Sequence, residues 1–440
     1  MRETIFALST GHPPAGVAVI RISGPGVRFG LETLTGSVPP ARVARLCALR
    51  DSNGLVLDRG LVLYFPGPQS FTGEDVAELQ IHGSRASISA VLESLSELEG
   101  YRPAEAGEYT RRAFENGCMD LTAVEGLSDL IRAETEAQRR QALGQADGTL
   151  QILYDTWAKR LTHARAMIEA ELDFSDEDDI PGSVTDRIWP EMKLLAEEIS
   201  DHLNKARYGE IVRDGFRVAL VGAPNVGKSS LLNSLAGRDI AIVSDIPGTT
   251  RDVIETRLDL GGHLVVLQDT AGLRDTESPV ELEGIRRSRL TADTADLVLE
   301  LRELGTGVAL THPPLPDDKV LMLWTKSDLM EGQELRAKSD GLAISSKTGH
   351  GLDALVALIS ERLDKLGRGT TEGLPTRERH VLLLQTCLKE VGAALDAISA
   401  PIEIRSEHLR FAAVALGRIT GTVDVEDLLG VIFSEFCVGK

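Results

Sequence analysis

The sequence predicts a multidomain protein that mixes α/β and all-α parts: an N-terminal α/β domain, a helical domain, and a second α/β domain inserted into the helical one. Three observations carry this expectation. Strand-like and helix-like patterns alternate up to about residue 118. From 119 the apolar residues recur at threes and fours, the spacing of helix faces. At 216 a βαβ pattern begins, and helical spacing returns only after 367.

The chain has 440 residues, enough for three domains at about 150 residues each. Hydrophobic residues make up 42% and charged residues 26%, a mix that excludes wholesale disorder. Acidic residues number 67 against 47 basic ones, a formal charge of −20. That balance argues against a global basic footprint for nucleic acid and against a polybasic membrane surface. The deficit is concentrated in 119–213 and 214–367, so a local basic patch elsewhere stays open. No apolar run reaches the ~18 residues that cross a bilayer, and MRETIFALSTGHPPAG carries Glu3 and too short an apolar run for a signal peptide. Cys47, Cys118, Cys387 and Cys437 form no CxxC or zinc spacing. These features predict a cytoplasmic protein with no membrane association.

VAVIRIS (17–23), GLVLYF (60–65) and DVAELQI (75–81) read as strands separated by Gly/Pro turns, and 84–98 has helical spacing. Helix faces follow in Leu121, Val124, Leu127 and Ile131, and in Leu150, Leu153, Trp157, Leu161 and Ile168. Another runs through Val184, Ile188, Met192, Leu195, Ile199 and Leu203. The acidic run from Glu169 through Asp179 reads as a solvated loop in preference to a metal site. FRVALV, a glycine-rich turn and SSLLNSLAG then open the second α/β part. GRGTTEGLP (367–375) breaks the pattern before Val381, Leu384, Leu388, Val391 and Leu395, and a final helix is expected over Asp424–Phe436. Predicted domains are therefore 1–118, 119–213, 214–367 and 368–440, the first and third α/β. Insertion accounts for the pattern economically; three consecutive domains would give the same one.

Gly222-Ala223-Pro224-Asn225-Val226-Gly227-Lys228-Ser229 is a GxxxxGKS element between an apolar strand and an amphipathic helix, the setting of a P-loop. Glycines let backbone N–H groups turn toward phosphate oxygens, and the helix N-terminus, with Ser230 in its first turn, adds a favourable dipole. Lys228 reaches the outer phosphates and the Ser229 hydroxyl can ligate Mg2+. Asp269-Thr270-Ala271-Gly272 follows the apolar strand HLVVLQ as a DxxG element: Asp269 holds magnesium through water and Gly272 senses the γ-phosphate. Between them lies the polar loop Asp245-Ile246-Pro247-Gly248-Thr249-Thr250-Arg251-Asp252, where Thr250 is the expected second Mg2+ ligand.

Thr325-Lys326-Ser327-Asp328 follows the strand VLMLW. The Asp328 carboxylate can accept both hydrogen bonds from guanine N1–H and its exocyclic amine, which adenine does not offer. Ser345-Ser346-Lys347 sits where the last base-contacting loop belongs. Five elements in order indicate a Ras-like GTPase domain with GTP as substrate. Two positions depart from the common pattern: Thr325 replaces Asn, and Ser346 replaces Ala. Leu273 stands where Ras-like enzymes carry a water-orienting Gln, so the catalytic group must come from elsewhere.

GAPNVGKSSLLN, DIPGTTRD, DTAGLRD and the terminal FCVGK resemble the MnmE (TrmE) family of tRNA-modification GTPases. VAVIRISG (17–24), FPGPQSFTGEDVAELQIHG (65–83), RPAEAGEYTRRAF (102–114) and DLTAVEGLSDLI (120–131) resemble it too, so the likeness covers essentially the whole chain. It implies an N-terminal folate-binding and dimerisation domain, a helical domain, and a G domain inserted into the helical one. It also implies a homodimer, and a potassium ion in place of an arginine finger, held by Asn225 with Ser244, Ile246 and Thr249. A fixed cation there offsets charge developing between the β- and γ-phosphates. Taken alone, Asn225 reads as a turn-former after Pro224. The family's water-orienting glutamate falls on Glu281, with Glu283 a close neighbour that sequence alone does not separate from it. Arg251 and Arg274 are candidate supports for these loops.

The resemblance further implies an FAD-containing partner of the MnmG (GidA) type, in a heterotetramer. Together they place an aminomethyl or carboxymethylaminomethyl group on carbon 5 of the tRNA wobble uridine. The one-carbon unit comes from a tetrahydrofolate, as the methylene or formyl derivative. By residue matching, Arg21, Glu78, position 118 and the terminal Lys440 would contact the folate. Read without the family, Arg21 is a surface or ion-paired strand residue and Glu78 a solvent-facing alternation partner. The family usually has Lys where Cys118 stands; a thiol does not supply that cation, and Arg111 and Arg112 are the nearest substitutes. Cys437, in the matching FCVGK, is expected either to act as nucleophile or acid toward the uracil ring or to pack near the folate. Two other functions share part of this pattern. A regulatory GTPase of ribosome or ribonucleoprotein assembly has the G motifs without the N-terminal blocks. An aminomethyltransferase-type folate enzyme with an accessory G domain would transfer its one-carbon unit without GTP turnover.

Overall fold

The structure is a computed structural model. It describes residues 3–173, 185–223, 225–242, 255–269, 291–303, 319–329, 341–367 and 373–423, together with Leu429, Ile432, Phe433, Phe436 and Gly439. It divides into two compact units. One comprises Met1–Ser128, Gln145–Met192 and Lys389–Lys440; the other comprises Asp129–Gly144 and Lys193–Leu388.

The first unit holds a six-stranded sheet: β1 (Thr4–Leu8), β2 (Ala15–Ser23), β3 (Arg45–Arg50), β4 (Val56–Phe65), β5 (Val76–Gly83) and β6 (Tyr101–Pro103), in the order β3-β4-β5-β2-β1-β6. All pairs are antiparallel except β1–β6. Period-two alternation sends Ile20, Ile22, Leu79 and Ile81 to a face covered by the helices Val27–Thr35 and Arg85–Ser96, whose Leu31, Leu34, Val91 and Leu95 complete that core. Arg21 and Glu78 fall on the other face, cross-strand partners in the β2–β5 register. Period-two patterning does not mark β1. Its residues Thr4, Ile5, Phe6 and Ala7 are all buried, so TIFAL has no polar face to alternate with.

The same unit contains the helix Thr149–Asp173, which buries Leu150, Tyr154, Trp157, Leu161, Ala164 and Ile168 and packs along the helix Ile402–Thr420. Helix Leu121–Arg132 matches the expected spacing, although Ile131 is 41% exposed and not part of its buried face. Val124, Phe433 and Phe436 form an apolar cluster with Phe114, Met119 and Leu127. Only isolated residues of the expected helix 424–436 are described; Leu429, Ile432 and Phe433 are helical.

The second unit holds β7 (Phe216–Gly222), β8 (Glu255–Leu260), β9 (His263–Asp269), β10 (Leu297–Glu303), β11 (Val320–Thr325) and β12 (Leu342–Ala343), in the order β12-β11-β10-β7-β9-β8. Every pair is parallel except the β8–β9 hairpin. Helices Lys228–Ala236 and Leu352–Leu366 cover one face with Leu231, Leu235, Leu355, Ile359 and Leu363, and Ala292, Ala295 and Val298 lie in a smaller cluster with Ala219 and Val221. In an open parallel sheet, ligands bind beyond the carboxyl ends of the strands, and β7, β10 and β11 all end there. The helix Ala206–Asp214 and, as far as Gly144, the helix Glu136–Ala146 belong to this unit as well. No described helix is long and apolar enough to cross a membrane. Among the described residues no cluster of three His, Cys, Asp or Glu could hold a metal ion.

Candidate nucleotide-binding site

The strand β7 ends at Gly222, directly beside β10. A Cβ on Gly222 would lie 2.6 Å from the Leu301 carbonyl oxygen, so only glycine lets the two strand ends approach. Asn225 (φ 61°) and Gly227 (φ 110°) then take left-handed backbone, which turns the chain into the helix Lys228–Ala236. The first-turn N–H groups of that helix point into the loop, the geometry that accepts a phosphate. Lys228 is buried and its Nζ donates to the Gly222 and Ala223 carbonyls at 2.7 and 3.0 Å. Burial pushes its ammonium below the usual lysine range, with Asp269 opposing the shift. Asp269 is buried at the end of β9, and the Ser229 hydroxyl donates to its Oδ2 at 3.1 Å. A hydroxyl and a carboxylate side by side form a hard-oxygen set suited to Mg2+. Ser230 is exposed in the first turn of the helix.

At the other end of the site, the buried Thr325 donates from Oγ1 to the Val226 carbonyl at 2.8 Å. Lys326 has φ 59° and its Nζ lies 2.8 Å from Glu303 Oε1 at the end of β10. Asp328 stands in the single turn Ser327–Leu329, where Ser345 Oγ donates to its Oδ1 at 2.6 Å. That hydrogen bond holds the Asp328 carboxyl below the usual carboxylate range. Ser345 Oγ also accepts from the Thr348 N–H at 3.2 Å, and the Ser346 carbonyl accepts from Ser234 Oγ at 2.9 Å. Lys347 is exposed. The structure thus brings Lys228, Ser229 and Asp269 together at one end, and Thr325, Asp328 and Ser345 at the other. The hydroxyl link from Thr325 to the P-loop and the Glu303–Lys326 pair are not visible in the sequence. Both join residues distant in sequence, and Glu303 stands in no recognisable motif.

In the first unit Arg21 and Glu78 pair with each other: Nε and Nη2 of Arg21 lie 3.2 and 2.9 Å from Glu78 Oε1. The guanidinium stands over the rings of Phe71 and Tyr109, at 5.2 and 5.8 Å from their centroids. Tyr109 donates its hydroxyl to the Arg21 carbonyl at 2.7 Å. Ser9 Oγ donates to the Gly439 carbonyl at 2.8 Å, one strand away from this pair. Cys118 is exposed. Arg112 is 5% exposed and committed to Glu74 and Glu108, each at 2.9 Å, while Arg111 pairs with Glu115 on the surface. Arg112 therefore serves the buried ion network and is not available as a substitute cation beside Cys118. Ser244, Asp245, Ile246, Pro247, Gly248, Thr249, Thr250, Thr270, Ala271, Gly272, Glu281, Glu283, Cys437 and Lys440 lie outside the described residues.

Fold and site define the class: a P-loop GTPase domain joined to an N-terminal α/β domain and a helical domain. A family model described as the MnmE helical domain matches residues 121–437, across the P-loop unit, and one described as the GTP-binding protein TrmE N-terminus matches residues 4–118. Curated proteins named tRNA modification GTPase MnmE are similar over the full length. The one from Rhizobium johnstonii is 53% identical, covering 100% of this chain and 99% of its own length. The one from Sinorhizobium medicae is 54% identical over the same shares. The solved G domain of the T. maritima FeoB iron transporter is 27% identical, covers 34% of this chain and 98% of that chain, and has a TM-score of 0.23. The chain belongs to the MnmE (TrmE) family.

Proposed function

We propose that this chain is a GTP-hydrolysing enzyme of tRNA modification. In this reading it works with an FAD protein of the MnmG (GidA) type and adds an aminomethyl or carboxymethylaminomethyl group to carbon 5 of the wobble uridine. One observation above all supports the GTP part: Asp328, held by Ser345, stands in the turn that follows a strand whose Thr325 is bonded to the P-loop. A carboxylate fixed in that place reads the two donors of guanine and rejects adenine. The tRNA part rests on membership of the family and on the names of its relatives.

In the reaction, N–H groups of the P-loop and Lys228 hold the phosphates of GTP. Lys228 is released from the Gly222 and Ala223 carbonyls when it turns to them. Ser229 and Asp269, with Thr250, would hold Mg2+, which when bound neutralises charge on the β- and γ-phosphate oxygens. Asn225, with Ser244, Ile246 and Thr249, would hold K+, which supplies the positive charge of an arginine finger. Glu281 orients the attacking water, a task that Leu273 cannot perform. Arg21 and Glu78, with position 118 and Lys440, would hold a tetrahydrofolate derivative that supplies the one-carbon unit. Their aromatic neighbours Phe71 and Tyr109 suit a flat pterin ring. Cys437, in FCVGK, would act as nucleophile or acid toward the uracil ring or pack near the folate.

The reading includes a cytoplasmic homodimer through residues 1–118, with 214–367 as the G domain and 119–213 plus 368–440 as the helical domain. It is tested first by GTP turnover in potassium and in sodium. Potassium stimulation, lost in Glu281→Ala while nucleotide still binds, supports the mechanism; equal rates in both salts count against it. It is tested second by nucleoside mass spectrometry of tRNA from a deletion strain. Loss of the wobble-uridine modification supports the function. An unchanged profile beside intact GTP hydrolysis would instead favour a regulatory GTPase.

A further inference from the structure

The hairpin β8–β9 carries Asp269 at the end of β9, where it meets Ser229. Everything that fixes the hairpin also fixes that carboxylate. Three contacts grip it from the same unit: one from the loop before the helix Glu136–Ala146, one from that helix and one from the helix Ala206–Asp214. Arg257 on β8 puts Nη1 at 2.9 and 2.8 Å from the two carboxylate oxygens of Glu134. The Ala137 N–H donates to the carbonyl of Gly262, in the hairpin turn, at 2.9 Å. Tyr208 Oη lies 2.9 Å from His263 Nε2, at the first residue of β9. The gripping element is itself rigid at its start. Thr135 and Gln138 form a capping box, with Gln138 Oε1 accepting from the Thr135 N–H at 3.1 Å and Thr135 Oγ1 accepting from the Gln138 N–H at 3.5 Å. Gln138 Nε2 then donates to the Arg213 carbonyl at 2.8 Å, just before β7.

Arg257 occupies a pivotal register position. Its backbone is paired with Val266 of β9, three residues before Asp269. On its other side its carbonyl accepts from the Ile242 N–H at 2.9 Å, and Ala241 bridges to Leu258. So the side chain of Arg257 is held by Glu134, while its backbone is built into the sheet that delivers Asp269.

We infer that Glu134 and Arg257 are a positioning pair for GTP hydrolysis, tying the β8–β9 hairpin to the helix Glu136–Ala146 and so setting the place of Asp269 against Ser229. The inference rests on the GTPase reading above. Neither residue touches nucleotide; each acts through the strands between.

The test uses the full chain with Glu134→Gln, with Arg257→Gln, and with the reversed pair Glu134→Arg plus Arg257→Glu. GTP turnover gives kcat and KM, a fluorescent GDP gives affinity, and hydrogen exchange at the Ala137 amide reports the hairpin contact directly. Each single change is expected to lower kcat about five-fold, the effect of a small rise in the barrier, with KM and GDP affinity within about two-fold. Exchange at Ala137 should quicken in both, and the reversed pair should recover both readouts. Unchanged kcat and unchanged Ala137 exchange in the single variants overturn the inference, as does a reversed pair no better than the singles. A kcat loss matched by an equal loss of GDP affinity also overturns it, because that pattern means general damage to the site. A wild-type chain that hydrolyses no GTP refutes the GTPase reading instead, and exchange at Ala137 still decides whether the tether exists.

Discussion

The hydroxyl of Thr325 donates to the carbonyl of Val226 at 2.8 Å, across a separation of 99 residues. It joins the strand that presents Asp328 to the loop that receives phosphate, so the two ends of the nucleotide site move as one. The same hydroxyl lies 3.3 Å from the Arg302 carbonyl. Threonine thus makes, with one oxygen, a link between base and phosphate halves.

Replacing Thr325 by valine keeps the shape and removes the donor, leaving a buried carbonyl without its partner. That costs about 1–3 kcal/mol, and GDP affinity should fall roughly five- to a hundred-fold. Thr325→Ser keeps the hydroxyl and should bind GDP nearly as the parent does. Titration with a fluorescent GDP checks both; equal affinities for parent and Thr325→Val would show that the link does not support the site.

Asp328→Asn replaces one carboxylate acceptor by an amide donor. Guanine then faces a donor with a donor, whereas xanthine, with a carbonyl in place of the amine, faces it correctly. GTP binding should drop by at least about 100-fold while xanthosine triphosphate gains, since a mispaired buried polar group is strongly rejected. Competition between the two nucleotides measures the switch, and an unchanged preference for GTP would remove Asp328 from base recognition.

The parts of this site that a reader of the sequence can see are those fixed by local chain geometry. The P-loop must be glycine-rich, must follow a strand and must open a helix, so Gly222 to Ser229 announce themselves. Asp269, Asp328 and Ser345 follow apolar strands in the same way. What is hidden is pairing across distance. Arg21 and Glu78 stand in separate strands 57 residues apart, and nothing local says that they meet. Glu134 and Arg257 are further apart still. Burial on both faces of strand β1 removes the alternation that marks a strand, and the buried face of the helix Ile402–Thr420 mixes Leu409, Leu416 and Ile419 with Arg405, Ser406 and small residues, which blurs its apolar spacing.

Gly222→Ala tests the close approach of β7 to β10. The added Cβ would lie 2.6 Å from the Leu301 carbonyl oxygen and 2.9 Å from Val226 Cγ1. A backbone oxygen at that distance cannot yield cheaply, so overpacking should cost about 1–3 kcal/mol and displace the P-loop. Urea unfolding and GDP titration of the variant should both show a loss; parent-like values in both would mean that the strand ends separate easily.

The stability of the second unit should depend on pH through His202. This histidine is 8% exposed, and its pKa is lowered to about 4 by burial first, then by the charges of His380 and Lys205. Unfolded, it titrates near the ordinary 6.5, so between these values the unfolded chain binds the extra proton. The sign follows: the contribution is fully present above pH 6.5 and is lost as pH falls toward 4, by as much as about 3 kcal/mol. His202→Leu removes the titrating group while keeping an apolar side chain in place. Denaturant unfolding of parent and variant at pH 7, 6, 5 and 4.5 should give curves that diverge on acidification, the parent losing more. Curves that stay parallel over that window would show that His202 takes up its proton in the folded state at no cost.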